Sequence, residues 1–239
     1  MFGIERQQEI LDVLKERHSV TVNWLAKHLY IGEATIRRDL DILEKKGFVK
    51  RIYGGAILVG GSSSEIPLLL RETERRESKS IICAQAAELV NDGDIIIMDS
   101  SSTTFMLIDF LNNKKDLTII TNGAKTAIAL AETQARVYST GGWLRKNSLS
   151  YVGHQARNFI DGIYADILFF SCRGLSEDGF LYDAFPDEVE CRQMMLAHAK
   201  MSVLLCDSSK IGKKSFHKIC KASEVDKIIC DQPLPEGVE

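Results

Sequence analysis

Two groups of side chains in this sequence have types and spacing that could do chemistry. The first is Thr35-Ile36-Arg37-Arg38-Asp39-Leu40, with Ala34 before it and Lys45, Lys46, Lys50, Arg51 and Tyr53 downstream. Guanidinium and ammonium groups at this density suit a polyanion. On duplex DNA, Arg38 would read a base edge while Thr35, Arg37 and Lys45 grip phosphates. The second group is Asp99-Ser100-Ser101-Ser102-Thr103-Thr104, a hydroxyl run that opens a helical stretch through Phe105, Leu107 and Leu111. Free backbone N–H groups, the positive end of the helix and several hydroxyl donors would converge there, which is what a phosphate group needs. Capping the helix takes one hydroxyl, and five exceed that need, so the run favours a phosphate site over a simple turn.

The elements that must carry these groups follow from periodicity. Read as a helix, at about 100° per residue, Ile36, Leu40 and Leu43 fall on one side, and Ala34, Arg38, Asp41 and Lys45 on the other. Residues 4–17 predict an earlier helix, and Thr21 is an N-cap for a second one through Trp24, Leu25 and Leu29. A short break at residues 31–33 leads into the basic helix, in the manner of a helix-turn-helix. Gly47 stops that helix, residues 48–53 alternate as a strand, Gly54-Gly55 turns, and residues 56–59 return as its partner, making a wing. Asp41 is expected to steer Lys45 at the i+4 position in preference to accepting from a cytosine amino group.

Gly60-Gly61-Ser62-Ser63-Ser64 has no side chain able to pack and reads as a linker. The organisation expected is a winged helix-turn-helix over 1–59, a linker over 60–74 and a larger domain over 75–239. Arg71 to Lys79 is a dense run of both signs, read as a solvated helical stretch. Beyond Asn91, short apolar runs alternate with helical stretches, the pattern of an α/β domain. Residues 95–98, 117–120, 135–138, 167–170, 203–206 and 228–230 are the expected strands, apolar enough to be buried on both faces as in a parallel sheet. After the hydroxyl run at the first strand, the next four end in Thr121-Asn122-Gly123, Ser139-Thr140-Gly141-Gly142, Ser171-Cys172-Arg173-Gly174 and Asp207-Ser208-Ser209-Lys210. In an open parallel sheet these ends share one edge, where ligands bind, and they suit a polyhydroxylated anion. Lys210 reads either as a counter-charge or as a surface lysine grouped with Lys213 and Lys214. Arg173 reads as a ligand contact or a structural ion pair, and Gly141-Gly142 as a close backbone approach or a tight turn.

Charge follows the same division. The chain of 239 residues carries a net −3, but residues 1–58 hold ten basic against eight acidic side chains, and the rest twenty against twenty-five. A basic surplus thus accompanies the first group alone. Six cysteines without a C-x-x-C pair, set among apolar neighbours, read as buried free thiols in a reducing cytoplasm. No apolar run reaches the roughly 18 residues of a membrane helix. The five histidines show no metal-ligand spacing, and no P-loop, G-x-S-x-G or G-x-G-x-x-G motif is present, so neither a metal nor a cofactor is expected.

The sequence resembles the DeoR family of bacterial transcription regulators. The resemblance rests on Arg6 with Ile10-Leu11, Leu25-Ala26, Leu29, residues 35–40, Leu43, Gly47, and Arg51 followed by Gly54-Gly55-Ala56. Gly32 and Tyr53 stand where the family usually has Ser and His. The second region resembles the family's effector domain through Lys79, Asp99-Ser100, Ser102-Thr103, Thr121-Asn122, Gly141-Gly142, Gly153, Asp166, Gly174, Gly179, Asp207 with Ser209-Lys210, and Asp231. This resemblance implies a ribose-5-phosphate-isomerase-like fold and a phosphorylated sugar as effector. The expected function is a DNA-binding regulator, a repressor of a carbohydrate operon acting as a dimer or tetramer on a double-stranded operator. The competing class is a sugar-phosphate isomerase with a DNA-binding appendage, for which Asp99, Asp183, Glu188 and Asp207 are the carboxylates to nominate.

Overall fold

The structure, a computed structural model, describes residues 3–17, 19–45, 47–58 and 68–235. Expectations for Lys46, Val59 and the Gly60 to Ser64 linker lie outside these residues. The chain divides into two compact units, Met1–Ile66 and Pro67–Glu239.

In the first unit, α1 (Gly3–Arg17) leads to a short strand β1 (Ser19–Thr21) and then α2 (Val22–His28). The Thr21 hydroxyl caps α2 by accepting from the Trp24 N–H at 3.1 Å, as expected of that residue. Helix α3 (Glu33–Lys45) follows, and β2 (Val49–Ile52) and β3 (Gly55–Leu58) form the hairpin. Ile36, Leu40 and Leu43 of α3 are buried with Ile10, Leu11, Leu14 and Leu25, so its apolar stripe closes a three-helix core. Strand β1, for which the sequence carried no expectation, joins the hairpin in the order β1-β3-β2. That pairing needs Gly55, where a Cβ would stand 2.1 Å from the Val20 carbonyl oxygen.

The second unit begins with α4 (Leu68–Thr73) and α5 (Arg76–Ala87). Strand β4 (Ile95–Met98) is followed by α6 (Ser102–Leu107), β5 (Thr118–Thr121) by α7 (Ala124–Leu130), and β6 (Arg136–Ser139) by the hairpin β7 (Trp143–Arg145) and β8 (Ser150–Val152). Then come α8 (His154–Asp161), β9 (Ala165–Phe170), β10 (Gly174–Leu175), β11 (Phe180–Asp183), α9 (Pro186–Ala197), β12 (Ala199–Leu205), β13 (His217–Lys221) and β14 (Lys227–Ile229).

The six strands read from the sequence form one parallel sheet in the order β14-β12-β9-β4-β5-β6. The chain starts at β4, builds outward to β6, then returns beside β4 with β9 and builds the other way. The order therefore reverses between β4 and β9, the place where an open α/β sheet opens a crevice at its carboxyl edge. Alternate residues supply two cores. Ile96, Met98, Ile119 and Phe169 pack one face with Ile82, Ala86 and Leu107. Ile97, Leu168, Phe170 and Leu204 pack the other with Ile160, Val189 and Met195. The sequence did not show β10, β11 and β13, which form a separate antiparallel sheet in the order β10-β11-β13.

Candidate DNA-reading face and ligand crevice

Helix α3 presents its outer face as its periodicity requires: Ala34, Arg37, Arg38, Asp41 and Lys45 are exposed and Thr35 is half-buried. Asp39, in the middle of the basic stretch, is turned inward and buried. It accepts from Arg6 Nε, from Arg6 Nη2 at 3.1 Å and from Gln7 Nε2 at 3.3 Å, which ties α1 to α3 and neutralises the carboxylate. The exposed guanidiniums differ in what holds them. Arg37 pairs with Glu33 one turn earlier at 2.9 Å, a solvent-exposed contact of small energy. Arg38 has no ion pair among the described residues. Arg51 ties the hairpin to α3 instead of standing free: it reaches Asp41 Oδ1 at 2.5 Å, the Arg37 carbonyl at 3.3 Å and the Gly55 carbonyl at 3.3 Å. Asp41 therefore pairs with Arg51, and the expected Asp41–Lys45 steering is corrected. Tyr53 stands fully exposed at the hairpin turn.

In the second unit every residue of the hydroxyl run is buried, with Thr103 and Thr104 at 0% exposure. Two hydroxyls are spent locally. Ser101 caps α6 by accepting from the Thr104 N–H at 3.2 Å, and Thr104 Oγ1 lies 2.9 Å from Asp99 Oδ1. Thr103 Oγ1 is buried without a hydrogen-bond partner, and so are Asn122 Oδ1 and Thr126 Oγ1 at the start of α7. The turn before α7 packs on the turn before α6: a Cβ on Gly123 would come within 2.6 Å of Thr126 Oγ1 and 3.2 Å of Ser100 Cα. A buried polar atom without a partner costs about 1–3 kcal/mol, and Asn122 and Thr126 flank the Gly123 turn at the carboxyl end of β5.

Asp99 is the hinge of this edge rather than an open acceptor. Its Oδ1 takes the Ser101 N–H at 3.0 Å, and its Oδ2 takes the Ser171 N–H at 3.2 Å and Arg192 Nε at 2.9 Å, joining β4 to β9 across the reversal. Arg192, buried on α9, also donates to Asp183 Oδ2 at 2.8 Å and Glu188 Oε2 at 3.2 Å. Burial works against its charge, but Asp183, Asp99 and Glu188 hold its pKa above the ordinary value. Burial likewise raises Glu188, yet Arg192 and the Ser150 and Ser148 hydroxyls outweigh it and bring that carboxyl down to about 2. Arg145 lies 3.5 Å from Glu188 and Arg173 3.4 Å from Asp183, both guanidiniums facing the Phe185 ring.

At the end of β12, Lys210 Nζ donates to Ser171 Oγ at 2.8 Å and sits 3.4 Å from Asp207 Oδ2. Burial lowers the Lys210 pKa and Asp207 more than restores it. Lys79, expected on a solvated run, is buried instead, with its ammonium on the Arg71 carbonyl; burial and then Lys210 depress it to about 8. A general base requires a carboxylate poised for a substrate proton. Here Asp99, Asp183 and Glu188 are committed to Arg192, and Asp207 to Lys210 and Ser209.

Of the residues singled out in the sequence, the structure brings Asp99, residues 100–104, Thr121, Asn122, Asp207 and Lys210 to one edge. Thr121 Oγ1 accepts from the Gly123 N–H at 3.0 Å and shapes the loop. Gly142 makes a tight turn: its φ is +114° and a Cβ would meet the Val152 carbonyl at 2.7 Å. Gly141 has open space beside it. Arg173 makes a structural ion pair, with Asp183. Thr126, Arg192 and Arg145 were missed. Only the i+4 spacing of Glu188 and Arg192 could have signalled one of them.

Comparison with known proteins agrees with both halves of this picture. The DeoR-like helix-turn-helix domain matches residues 6–60 and the DeoR C terminal sensor domain matches residues 74–232. The chain is 34% identical over its whole length to the HTH-type transcriptional regulator GolR of Listeria innocua, covering 94% of that protein. It is 31% identical to a putative aga operon transcriptional repressor of Escherichia coli O157:H7 (97% of this chain, 87% of the other). It is 32% identical to a lactose phosphotransferase system repressor of Staphylococcus epidermidis (95% and 91%). Among solved structures, eIF2B delta from Chaetomium thermophilum shares the fold over 70% of this chain and 60% of its own, at 13% identity and a TM-score of 0.50. Ribose 5-phosphate isomerase A from Methanocaldococcus jannaschii aligns over 58% of this chain and 55% of its own, at 18% identity and a TM-score of 0.44. With a reading helix in one unit, a polar sheet edge in the other and both domain matches in register with them, the chain belongs to the DeoR family of helix-turn-helix transcriptional regulators.

Proposed function

We propose that this regulator is a cytoplasmic repressor of a carbohydrate-utilisation operon, and that a phosphorylated sugar bound at the carboxyl edge of the parallel sheet sets its affinity for the operator. Arg38 reads a base edge in the major groove, Thr35, Arg37 and Lys45 grip phosphates, and Ala34 lets the helix approach closely. Tyr53 contacts the backbone from the wing, while Arg51 holds the wing against α3. The phosphate of the effector takes the turn formed by Ser100, Ser102 and Thr103, the Thr126 hydroxyl donates to it, Asn122 Oδ1 accepts from a sugar hydroxyl, and Lys210 supplies counter-charge. Two relatives named as repressors, one of a lactose phosphotransferase system, support the sign of regulation and the class of operon.

The observation that carries the effector reading is the trio of buried, unpartnered atoms, Thr103 Oγ1, Asn122 Oδ1 and Thr126 Oγ1. A panel of phosphorylated sugars and their unphosphorylated parents, each scored by the shift in melting temperature, tests it. A ligand at a hundredfold excess over its Kd stabilises by about 2.7 kcal/mol, which at this size moves Tm by several degrees. The expected result is a shift with one phosphorylated sugar and none with its parent. A panel without any shift, or equal shifts for both forms, overturns the assignment.

A further inference from the structure

One basic surface is not used by any of this. Residues 210–221 hold five lysines and a histidine and not one carboxylate, inside a region where acidic side chains outnumber basic ones. Lys210 faces the crevice, but Lys213, Lys214, Lys218 and Lys221 are exposed. The loop that carries the first two is fixed, not loose. The Gly212 N–H donates to the Leu175 carbonyl at 2.8 Å, and a Cβ on Gly174 would meet the Lys213 carbonyl at 2.4 Å.

The strand that follows gathers the others. In register with β11, Lys218 faces Tyr182 and Lys221 faces Phe180, so three residues of β13 span two of β11, which is a bulge. Three residues apart on a regular strand, these lysines would point to opposite faces. The bulge sets both ammonium groups over the Phe180 ring, at 3.5 and 5.8 Å from its centre. Lys214 pairs with Asp178 at 3.2 Å, whereas Lys213, Lys218 and Lys221 have no ion pair among the described residues. Two like charges are thus collected on one ring, with Asp178 on Lys214 and Glu224 on the Lys221 backbone N–H as the carboxylates beside them.

We propose that this lysine face is a second DNA contact, which grips the phosphodiester backbone of duplex flanking the bases read by α3. Lysine is depleted from protein–protein interfaces and the patch lacks an apolar centre, since Phe216, 82% exposed, is its single exposed large hydrophobic side chain. Lysine ammoniums on flexible stems suit phosphates, which they bind without regard to sequence. A duplex held by one unit of the chain is presented to the other at high effective concentration, so a weak backbone contact is sufficient. This inference depends on DNA binding and not on the identity of the effector.

The test uses the full chain and a long duplex of random sequence, with binding measured between ~50 and ~200 mM salt. Each phosphate contact contributes ~0.9 to the slope of log K against log salt. The triple variant Lys213→Gln, Lys218→Gln, Lys221→Gln is expected to flatten that slope by ~2 to 3, and the corresponding triple Arg variant to keep it. Lys213→Gln alone, which touches no ring, is expected to lose ~0.9 and guards against a misfolded triple. A slope unchanged in the Gln variants overturns the proposal, including the case where an acidic protein is the true partner. A loss of affinity at constant slope, or an Arg variant as flat as the Gln variant, overturns it as well.

Discussion

Arg37 and Arg38 are adjacent and chemically identical, yet only Arg37 is held by an intrahelical carboxylate, Glu33. Arg38 lies furthest from the buried stripe and is the side chain with freedom to enter a groove. Replacing it with Ala should relax preference at one operator position by about 1–3 kcal/mol, read as the ratio of specific to scrambled duplex affinity at fixed salt. An unaltered ratio assigns base reading elsewhere. Among the titrating groups of the second unit, Glu188 gives a prediction of definite sign. Its carboxyl falls from an ordinary 4.5 to about 2 in the folded protein, because Arg192 and two serine hydroxyls outweigh burial. A depressed carboxyl stabilises fully above the unfolded value and loses that contribution as pH falls from about 4.5 toward 2. Unfolding measured across this interval should therefore be less pH-dependent in Glu188→Gln than in the parent, and parallel curves would refute the assignment.

At the scale of elements, the hairpin and β1 form one small sheet whose closest approach runs through Gly55. Gly55→Ala places a methyl against the Val20 carbonyl, and the first unit should lose roughly 1–3 kcal/mol in denaturant titrations, with operator binding weakened to match. Full stability in that variant would mean that β1 is dispensable to the wing. The same elements show why some of the fold was legible and some was not. The six parallel strands announced themselves because both faces are buried, which leaves an unbroken apolar run such as Ile95-Ile96-Ile97-Met98. Strand β1 has one buried residue in three and its partner β3 lies far downstream, so no local pattern marks it. Strands β11 and β13 are likewise defined by each other across α9 and β12. The candidate site divides the same way. Its hydroxyls and turns are local in sequence and could be read, whereas Arg192 becomes a hub only by meeting Asp99, 93 residues away. Lys79 looked solvated because it stands in a charged run, and only packing shows that it is buried.

At the scale of the whole molecule, each copy offers one short reading helix, and small modules gain operator affinity by pairing on half-sites. Sedimentation of the full chain is expected to give a dimer or tetramer, and a monomer that retains specific binding would remove the need for symmetry. The inward turn of Asp39 has a consequence for how such proteins diversify. Because α3 serves the fold through its buried residues 36, 39, 40 and 43 and through Asp41, which holds Arg51 of the hairpin, the outward letters at 34, 38 and 45 can be rewritten without touching those contacts. A lineage that keeps its sensor could address a new promoter through two or three substitutions, and an engineer could exchange those letters as a cassette.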